Sequence, residues 1–461
     1  MRNTLRSILL PAISSLTLIL SACNGGSTGA SAPGLPQAIA PGGLSLARSS
    51  HHRTSSKIQH IVIIVQENRS FNNLLYGFPG ATTQSYGYDT NGNKINLVPI
   101  PLETSWDLEH DSWGFFEACN GTGSIPGTNC RMNGFNQEWT GCYGSRCPYA
   151  HPQYGYVPQS ETKPYFEMGK RYVVGDQMYA SNLDASSFIS HQYIIAGQAV
   201  GAVNYPGGAW GCPGGSGDKI GEIGPQRQIP VGYEVVCWDP TTLGDELDTA
   251  GVSWAFYAVS YSGNPWIWSS YQAIKHIYFG KDWKNDVFSP PSKILNDVTS
   301  GNLRAVSWVT PTWTNSDHAG SGSNSGPSWV TSVVNTIGQS KYWKSTAIFI
   351  FWDDYGGWYD PEAPQYVDYD GLGLRLPLII ISPYAKKGYV SHTPLEHGSI
   401  LKFVENTFGL PPMTASDTRA NAPDDAFDFS KPPRKFRTIP STYGREYFLH
   451  QPPDHHIPDD N

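Results

Sequence analysis

Five short apolar runs, each about the length of a β-strand, constrain the fold of this chain more than any other feature of its sequence. The runs are mostly apolar along their whole length instead of alternating with polar residues, which is typical of strands covered on both faces. They span residues 58–65, 252–259, 305–309, 346–352 and 376–382. Buried strands of this kind predict a largely parallel sheet.

Helical patterns between and after the runs complete this prediction. Segments 328–337 and 397–408 repeat apolar residues at helical spacing, and the second ends at Gly409, before two prolines. The sequence therefore predicts an α/β fold with a doubly wound, largely parallel sheet and helices on both faces. With 461 residues, of which 39% are hydrophobic and 13% aromatic, the chain can bury a large core and is not a disordered chain.

The N-terminal segments predict export. Residues 1–22 have a positive start and a short apolar stretch, and small residues precede Cys23 in Leu20-Ser21-Ala22-Cys23, which is typical of a lipoprotein signal peptide. A plain secretory signal cleaved nearby is the alternative. Residues 23–57, rich in Gly, Ser, Ala and Pro, predict a flexible tether.

The expected location follows from this signal. A lipid on Cys23 would anchor the protein in a membrane, and Asn24 after it resembles outer-membrane sorting; without the lipid the protein would be periplasmic or secreted. No later apolar run approaches the ~18 residues that cross a bilayer.

The remaining chain is divided by composition. We expect one domain over residues 58–430 and a C-terminal extension over 431–461, which is rich in proline at its start and polar at its end. Within the domain, residues from about 106 to 164 have little periodicity and four cysteines, and predict an inserted segment held by disulfides. A net charge of −8 with only 15% charged residues provides no basic stripe for nucleic acid.

Six cysteines remain after Cys23. An even number in an oxidising compartment predicts three disulfides, although about 15 pairings are formally open. A zinc site is the alternative, but no close Cys-x-x-Cys pair with histidines at ligand spacing is present. We expect sequence neighbours to pair, giving Cys119 with Cys130, Cys142 with Cys147 and Cys212 with Cys237.

Oxygen-bearing side chains directly follow two of the apolar runs. Glu67 and Asn68 come after the first run, and Asp353 and Asp354 after the run 346–352. Ligands of open α/β sheets bind beyond the carboxyl ends of strands, so these residues are candidates for one site. An all-oxygen set suits a hard divalent cation such as Ca²⁺ or Mg²⁺. Alternatively, Glu67 caps a helix and the aspartates are ordinary turn residues.

The segment 60–71, His-Ile-Val-Ile-Ile-Val-Gln-Glu-Asn-Arg-Ser-Phe, resembles the opening signature of a bacterial phosphoesterase family. That family includes non-haemolytic phospholipases C and related acid phosphatases, within the alkaline-phosphatase-like superfamily. Further similar blocks follow in order at residues 110–111, 132–135, 172–181, 183–197, 241–257, 303–318, 343–360 and 373–410. The resemblance implies an alkaline-phosphatase-like fold and hydrolysis of phosphate esters by a hydroxyl nucleophile beside one divalent metal ion.

The resemblance also implies roles for particular residues. Counting back from Ala196-Gly197 gives Ser187 as the nucleophile; Ser186 stays an alternative, because the flanking Gly-Pro and Pro-Asn of the family are absent. A serine in this turn could also simply cap a helix. Glu67, Asn68, Asp353 and Asp354 would hold the metal ion.

Histidines are the candidates for protonating the leaving group. His110 and His318 lie in blocks whose histidines face the phosphate in the family, whereas His191 and His397 lie nearer packing segments. The chain departs from the family pattern at one position that bears on the reaction. Where the family has Asp-His-Val, this chain has Asp360-Pro361-Glu362, and the missing histidine affects either the choice of substrate or the protonation of the leaving group.

The expected function is metal-dependent hydrolysis of phosphoester bonds through a phosphoseryl intermediate, of the phospholipase C type, on a phospholipid or a small phosphate ester. The alternatives are an acid phosphatase and a surface lipoprotein that binds phosphorylated ligands without turnover.

Trp266 and Trp268 either line a lipid pocket or pack in the core, with packing preferred. The C-terminal histidines, His450, His455 and His456, are expected in a solvated tail.

Overall fold

The apolar runs form the central strands of one mixed sheet. The computed structural model describes residues 57–142, 147, 149–260 and 267–458, so the signal peptide, nearly all of the tether and Trp266 lie outside the described residues. Within the described part, nine strands form the main sheet, in the order β11-β10-β12-β1-β13-β14-β6-β15, with β16 also paired to β6. The remaining strands form small sheets of two or three strands.

The strands, in chain order, are β1 His60–Gln66, β2 Tyr86–Tyr88, β3 Lys94–Asn96, β4 Val98–Pro99, β5 Gly155–Tyr156, β6 Val173–Tyr179, β7 Ala202–Val203, β8 Lys219–Glu222, β9 Tyr233–Val235, β10 Trp254–Tyr257, β11 Val287–Phe288, β12 Val306–Val309, β13 Thr346–Trp352, β14 Arg375–Ile381, β15 Tyr389–Ser391 and β16 Leu395–Glu396. The helices are α1 Phe71–Leu74, α2 Ser112–Cys119, α3 Lys163–Arg171, α4 Ser187–Ala196, α5 Leu243–Thr249, α6 Lys275–Tyr278, α7 Lys281–Asn285, α8 Lys293–Ser300, α9 Gly326–Gly338, α10 His397–Phe408, α11 Ala415–Arg419 and α12 Arg445–Leu449. None of the described helices is long and apolar enough to cross a bilayer.

The sheet confirms the predicted fold class. Every residue of β13 and β14 is buried, so both faces of the sheet are covered. The pairings of β1 with β12 and β13, and of β10 with β11 and β12, are parallel. Only β14 runs antiparallel to its neighbours, β13 and β6.

Parallel pairing of β1 and β13 determines where the site forms. The register runs from His60 opposite Thr346 to Gln66 opposite Trp352, so the two strands end side by side. The residues that follow them, Glu67 and Asp353, therefore start from adjacent points at one edge of the sheet.

The two helices predicted from periodicity are present as α9 and α10, and α10 has the predicted bounds. Strand β6 was not predicted, because Gly175 and Asp176 interrupt its apolar run. All three disulfides form between the expected sequence neighbours: Cys119 with Cys130, Cys142 with Cys147 and Cys212 with Cys237.

The C-terminal residues pack on the domain at several points. The ring of Phe448, in α12, lies 5.4 Å from that of Trp329 in α9, and both side chains are buried. Asn335 of α9 donates from Nδ2 to the carbonyl of Ile439 at 2.9 Å. This segment therefore adds apolar contacts to the outer side of α9.

A fully buried ion pair connects β14 to the loop after β13. Arg375 donates from Nε and Nη2 to the two carboxylate oxygens of Asp360, at 2.9 and 3.0 Å, and neither side chain is exposed. Nη1 of Arg375 donates to the carbonyl of Asp176 at 3.0 Å, which also connects it to β6. Asp360 is thus bound to the sheet by an arginine.

Replacing Arg375 by methionine should lower the free energy of unfolding by about 3–5 kcal/mol, because the Asp360 carboxylate would stay buried without its cation. The double variant Arg375→Met, Asp360→Asn should recover part of the loss. Chemical denaturation of the three proteins measures both effects. A loss below about 1 kcal/mol for the single variant would show that the pair contributes little.

Candidate active site

The turn after β1 brings two oxygen-bearing side chains into the sheet edge. Asn68 has a left-handed backbone (φ 59°), a conformation that asparagine adopts more readily than most residues. Its backbone N–H donates to Asp353 Oδ1 at 3.3 Å, which connects the turn to the end of β13. Gly356 packs against this turn: a Cβ there would lie 2.2 Å from the carbonyl oxygen of Asn68, so only glycine fits.

The serine turn before α4 faces the same edge. Ser187 is the first residue of α4, and its Oγ lies 3.1 Å from Asn68 Nδ2, 3.3 Å from Asp354 Oδ2 and 3.5 Å from Glu67 Oε2. Ser186 points elsewhere, because its Oγ donates to the carbonyl of Asn204 at 2.9 Å. The hydroxyl of Ser187 thus lies against the carboxylates, and that of Ser186 lies against a backbone carbonyl.

The carboxyl group of Asp184 holds this turn in place. Its oxygens accept hydrogen bonds from the backbone N–H groups of Ser186, at 3.1 Å, and of Asn204. Burial raises the pKa of Asp184 to about 8. Asn204 also accepts from Ser112 through its side chain, so the start of α2 is connected to the serine turn.

The structure brings together all four residues predicted to bind metal. Glu67, Asn68, Asp353 and Asp354 are fully buried, and Asn68 Nδ2 donates to Asp354 Oδ2 at 3.0 Å. Burial raises the pKa of Asp353 to about 6. Three carboxyl groups this close and this deeply buried are stabilised in their charged form by a cation, so the donor set fits a divalent metal ion.

A histidine that the sequence placed among packing residues lies in this cluster. His191 Nε2 is 3.0 Å from Glu67 Oε1 and 3.5 Å from Asp353 Oδ2, and its side chain is fully buried. Burial, and then the nearby His397, lower the pKa of His191 to about 3. The spacing of four residues between Ser187 and His191, which puts both on one helix face, was the signal in the sequence.

His397, the other histidine assigned to packing, does pack. Its ring lies 5.5 Å from that of Phe351, and burial lowers its pKa to about 3.

The two candidate acid histidines are neighbours. Their rings are 5.6 Å apart and nearly perpendicular, and His110 Nε2 lies 2.9 Å from Asn68 Nδ2. The Nδ1 atom of His110 contacts the Leu108 carbonyl at 2.6 Å, and that of His318 contacts the Ala319 carbonyl. With Nδ1 donating to these carbonyls, the Nε2 atom of each ring is directed away from its carbonyl, and that of His110 points to Asn68 at the site.

Asp107 lies behind both histidines and was not predicted. Its Oδ2 is 4.0 Å from His110 Nδ1 and 3.9 Å from His318 Nδ1. Asp107, His110 and His318 thus form a second buried group of possible metal ligands. Both Nδ1 atoms contact backbone carbonyls, so these carbonyls orient the two rings.

Two tryptophans flank His318. The ring of Trp313 lies 4.7 Å from that of His318, and Trp268 stacks on Trp313 at 5.9 Å. Trp268 is almost fully buried and also lies 6.1 Å from the His318 ring, so it packs beside the site.

The C-terminal histidines are exposed, as expected of a solvated tail: His450, His455 and His456.

The chain is similar to proteins of one known family along most of its length. Residues 58–411 match the Phosphoesterase family, and the chain therefore belongs to that family. It is 25% identical to the non-hemolytic phospholipase C of Pseudomonas aeruginosa over 88% of this chain and 62% of that protein. It is also 25% identical to the non-specific phospholipase C1 of Arabidopsis thaliana (83% and 73%) and 24% identical to phospholipase C A of Mycobacterium tuberculosis (82% and 79%).

This chain thus spans less than two thirds of the length of the Pseudomonas enzyme. Among solved structures, a member of the alkaline phosphatase superfamily from Vibrio parahaemolyticus aligns with a TM-score of 0.36 and 12% identity, over 81% of this chain and 73% of that one.

The raised pKa of Asp184 predicts a pH-dependent stability. Folded Asp184 has a pKa of about 8, against about 3.9 in an unfolded chain, so the folded protein keeps a proton that the unfolded chain has lost. The resulting stabilisation is complete below about pH 4 and is lost as the pH rises to about 8, by at most about 1.4 kcal/mol per pH unit.

Asp184→Asn removes this titration, so its unfolding free energy should fall less steeply between pH 4 and about 8 than that of the wild type. Chemical denaturation at a series of pH values measures both slopes. Parallel curves for the two proteins would contradict the assignment, whatever the variant's absolute stability.

Proposed function

We propose that this protein is a metal-dependent phosphoric ester hydrolase of the phospholipase C type, with Ser187 as its nucleophile. The observation that carries the proposal is the position of Ser187 Oγ, within 3.5 Å of groups on Glu67, Asn68 and Asp354. A buried hydroxyl beside several carboxylates matches a serine whose alkoxide is stabilised by a bound cation. The phospholipase C relatives support this substrate class over phosphomonoesters.

Glu67, Asn68, Asp353 and Asp354 would hold one divalent metal ion. When bound, such an ion stabilises the serine alkoxide and neutralises a non-bridging phosphate oxygen. Arg69, the next residue after Asn68, is not available for this task. It donates from Nε to the carbonyl of Asp317 at 2.7 Å and from Nη2 to that of Leu102 at 3.0 Å.

In the first step, Ser187 Oγ forms a bond to phosphorus while the bond from phosphorus to the diacylglycerol oxygen breaks. The hydroxyl proton passes to the neighbouring carboxylate of Asp354, whose Oδ2 lies 3.3 Å away. The leaving oxygen takes a proton from His110 or His318, and diacylglycerol departs. The head group stays attached through a phosphoseryl linkage.

In the second step, water attacks the same phosphorus and the bond to Ser187 Oγ breaks. The water gives one proton to the histidine that protonated the leaving group, and Ser187 regains its proton from Asp354. The phosphorylated head group leaves, and the side chains return to their starting state. On a phosphomonoester the same two steps would release an alcohol and inorganic phosphate.

Ser187→Ala should lower kcat on phosphatidylcholine by about 10³-fold or more, because it removes the hydroxyl that lies against Glu67 and Asp354. Ser186→Ala is the matched control, since the hydroxyl of Ser186 donates to the Asn204 carbonyl, and this variant should keep kcat within about tenfold. Release of diacylglycerol measures turnover. Equal losses in both variants, or turnover by Ser187→Ala, would refute the assignment.

The same assay on p-nitrophenyl phosphate distinguishes the alternatives. A higher kcat/KM for this monoester than for phosphatidylcholine would indicate an acid phosphatase. Wild-type protein that binds phosphate but releases neither product would indicate a binding lipoprotein.

We infer that Cys23 carries the lipid that anchors the protein, on the basis of the sequence before it. Cys23→Ser should move the protein from the membrane to the soluble fraction of expressing bacteria, and should abolish incorporation of labelled palmitate. Unchanged fractionation and a mature chain that lacks Cys23 would instead indicate a plain secretory signal.

A further inference from the structure

The imidazole of His191 lies among the oxygen atoms that would hold the metal ion. Its Nε2 is 3.0 Å from Glu67 Oε1 and 3.5 Å from Asp353 Oδ2. All three side chains are fully buried, and these distances are too short for a water molecule to lie between the atoms. The cluster therefore offers a nitrogen atom in addition to the oxygens that the sequence suggested.

The separations within the cluster suit a small metal ion. Ligand atoms at about 2.0–2.2 Å from an ion lie roughly 2.8–3.6 Å from one another along the edges of an octahedron or a tetrahedron. The two distances from His191 Nε2 fall in this range. Glu67, His191 and Asp353 each offer one ligand atom, and the three atoms lie within 4.8 Å of one another.

A different role for His191 is to donate a hydrogen bond from Nε2 to Glu67, which would hold the carboxylate in place. That role requires the proton to be on Nε2. Without a metal ion, the 3.0 Å contact with the Glu67 carboxylate places the proton on Nε2. A metal ion bound at this point would replace that proton and take the Nε2 lone pair, and Nδ1, which has no hydrogen-bond partner among the described residues, would then carry the proton.

We propose that His191 Nε2 is a ligand of the metal ion, together with Glu67 and Asp353, and that the site therefore prefers a borderline ion such as Zn²⁺ to Ca²⁺ or Mg²⁺. The proposal rests on the proposed metal-dependent function and specifies its ion. It departs from the preference for Ca²⁺ or Mg²⁺ that oxygen ligands alone suggest. The reason is chemical: imidazole nitrogen binds zinc and iron well, whereas calcium and magnesium select oxygen.

The first test uses wild-type protein freed of metal by a chelator. Titration with ZnCl₂, MgCl₂ and CaCl₂, followed by calorimetry and by the melting temperature, gives the dissociation constant for each ion. Zinc should bind at least about 100-fold more tightly than magnesium or calcium. X-ray absorption at the zinc edge should show one imidazole ligand. Comparable affinities for the three ions, or a zinc site without imidazole, would overturn the proposal.

His191→Gln separates a ligand from a residue that only holds Glu67. Glutamine keeps a hydrogen-bond donor and offers an oxygen, so the selectivity for zinc over magnesium should fall at least about tenfold in this variant. An equal loss of affinity for both ions would mean that His191 only positions Glu67. His397→Gln is the matched control, because that buried histidine packs beside Phe351, and it should keep the selectivity.

Failure of this inference differs from failure of the proposed function. Full hydrolysis by metal-free protein would refute the metal-dependent function itself. Hydrolysis that needs a metal ion but is restored equally by calcium, magnesium and zinc would leave the function standing and refute the assignment of His191.

Discussion

Parallel pairing of β1 with β13 is the interaction on which the candidate site depends. The seven paired positions of these strands end together at Gln66 and Trp352, so the two following turns leave the sheet at one edge. Glu67 and Asn68 from one turn then meet Asp353 and Asp354 from the other, although about 285 residues separate them in the chain. A shift of register by one residue would turn these side chains to the opposite face.

Burying three carboxyl groups together at that edge of the sheet is unfavourable in free energy. Hydrogen-bond donors nearby reduce this penalty. Backbone and amide donors of Asn68 reach Asp353 and Asp354. Farther out, Asp360 is neutralised by Arg375, and Asp184 holds the serine turn through two backbone N–H groups. The negative charge of Glu67, Asp353 and Asp354 is what a divalent cation would balance. The same buried carboxylates therefore explain both the hydrogen bonds around the site and the metal ion of the proposed reaction.

The sequence predicted the central strands of the sheet well, because strands buried on both faces must be apolar throughout. It was less informative where that rule fails: β6 carries Gly175 and Asp176 inside the sheet, with the Asp176 carbonyl bonded to Arg375. The reversed direction of β14 was also not foreseen. A buried strand has the same apolar composition whether it pairs parallel or antiparallel, so its direction depends on contacts distant in sequence.

For the site, the sequence by itself determined the chemical groups: the carboxyl and amide residues after two strands, the serine turn, the two candidate acid histidines and the paired cysteines. These are visible because each belongs to a local pattern or a family block. The tertiary structure alone placed His191 beside Glu67, turned Ser187 and not Ser186 toward the carboxylates, and set Asp107 behind His110 and His318. Such choices depend on distances of a few ångströms between chain segments far apart in sequence, and no local pattern encodes those distances.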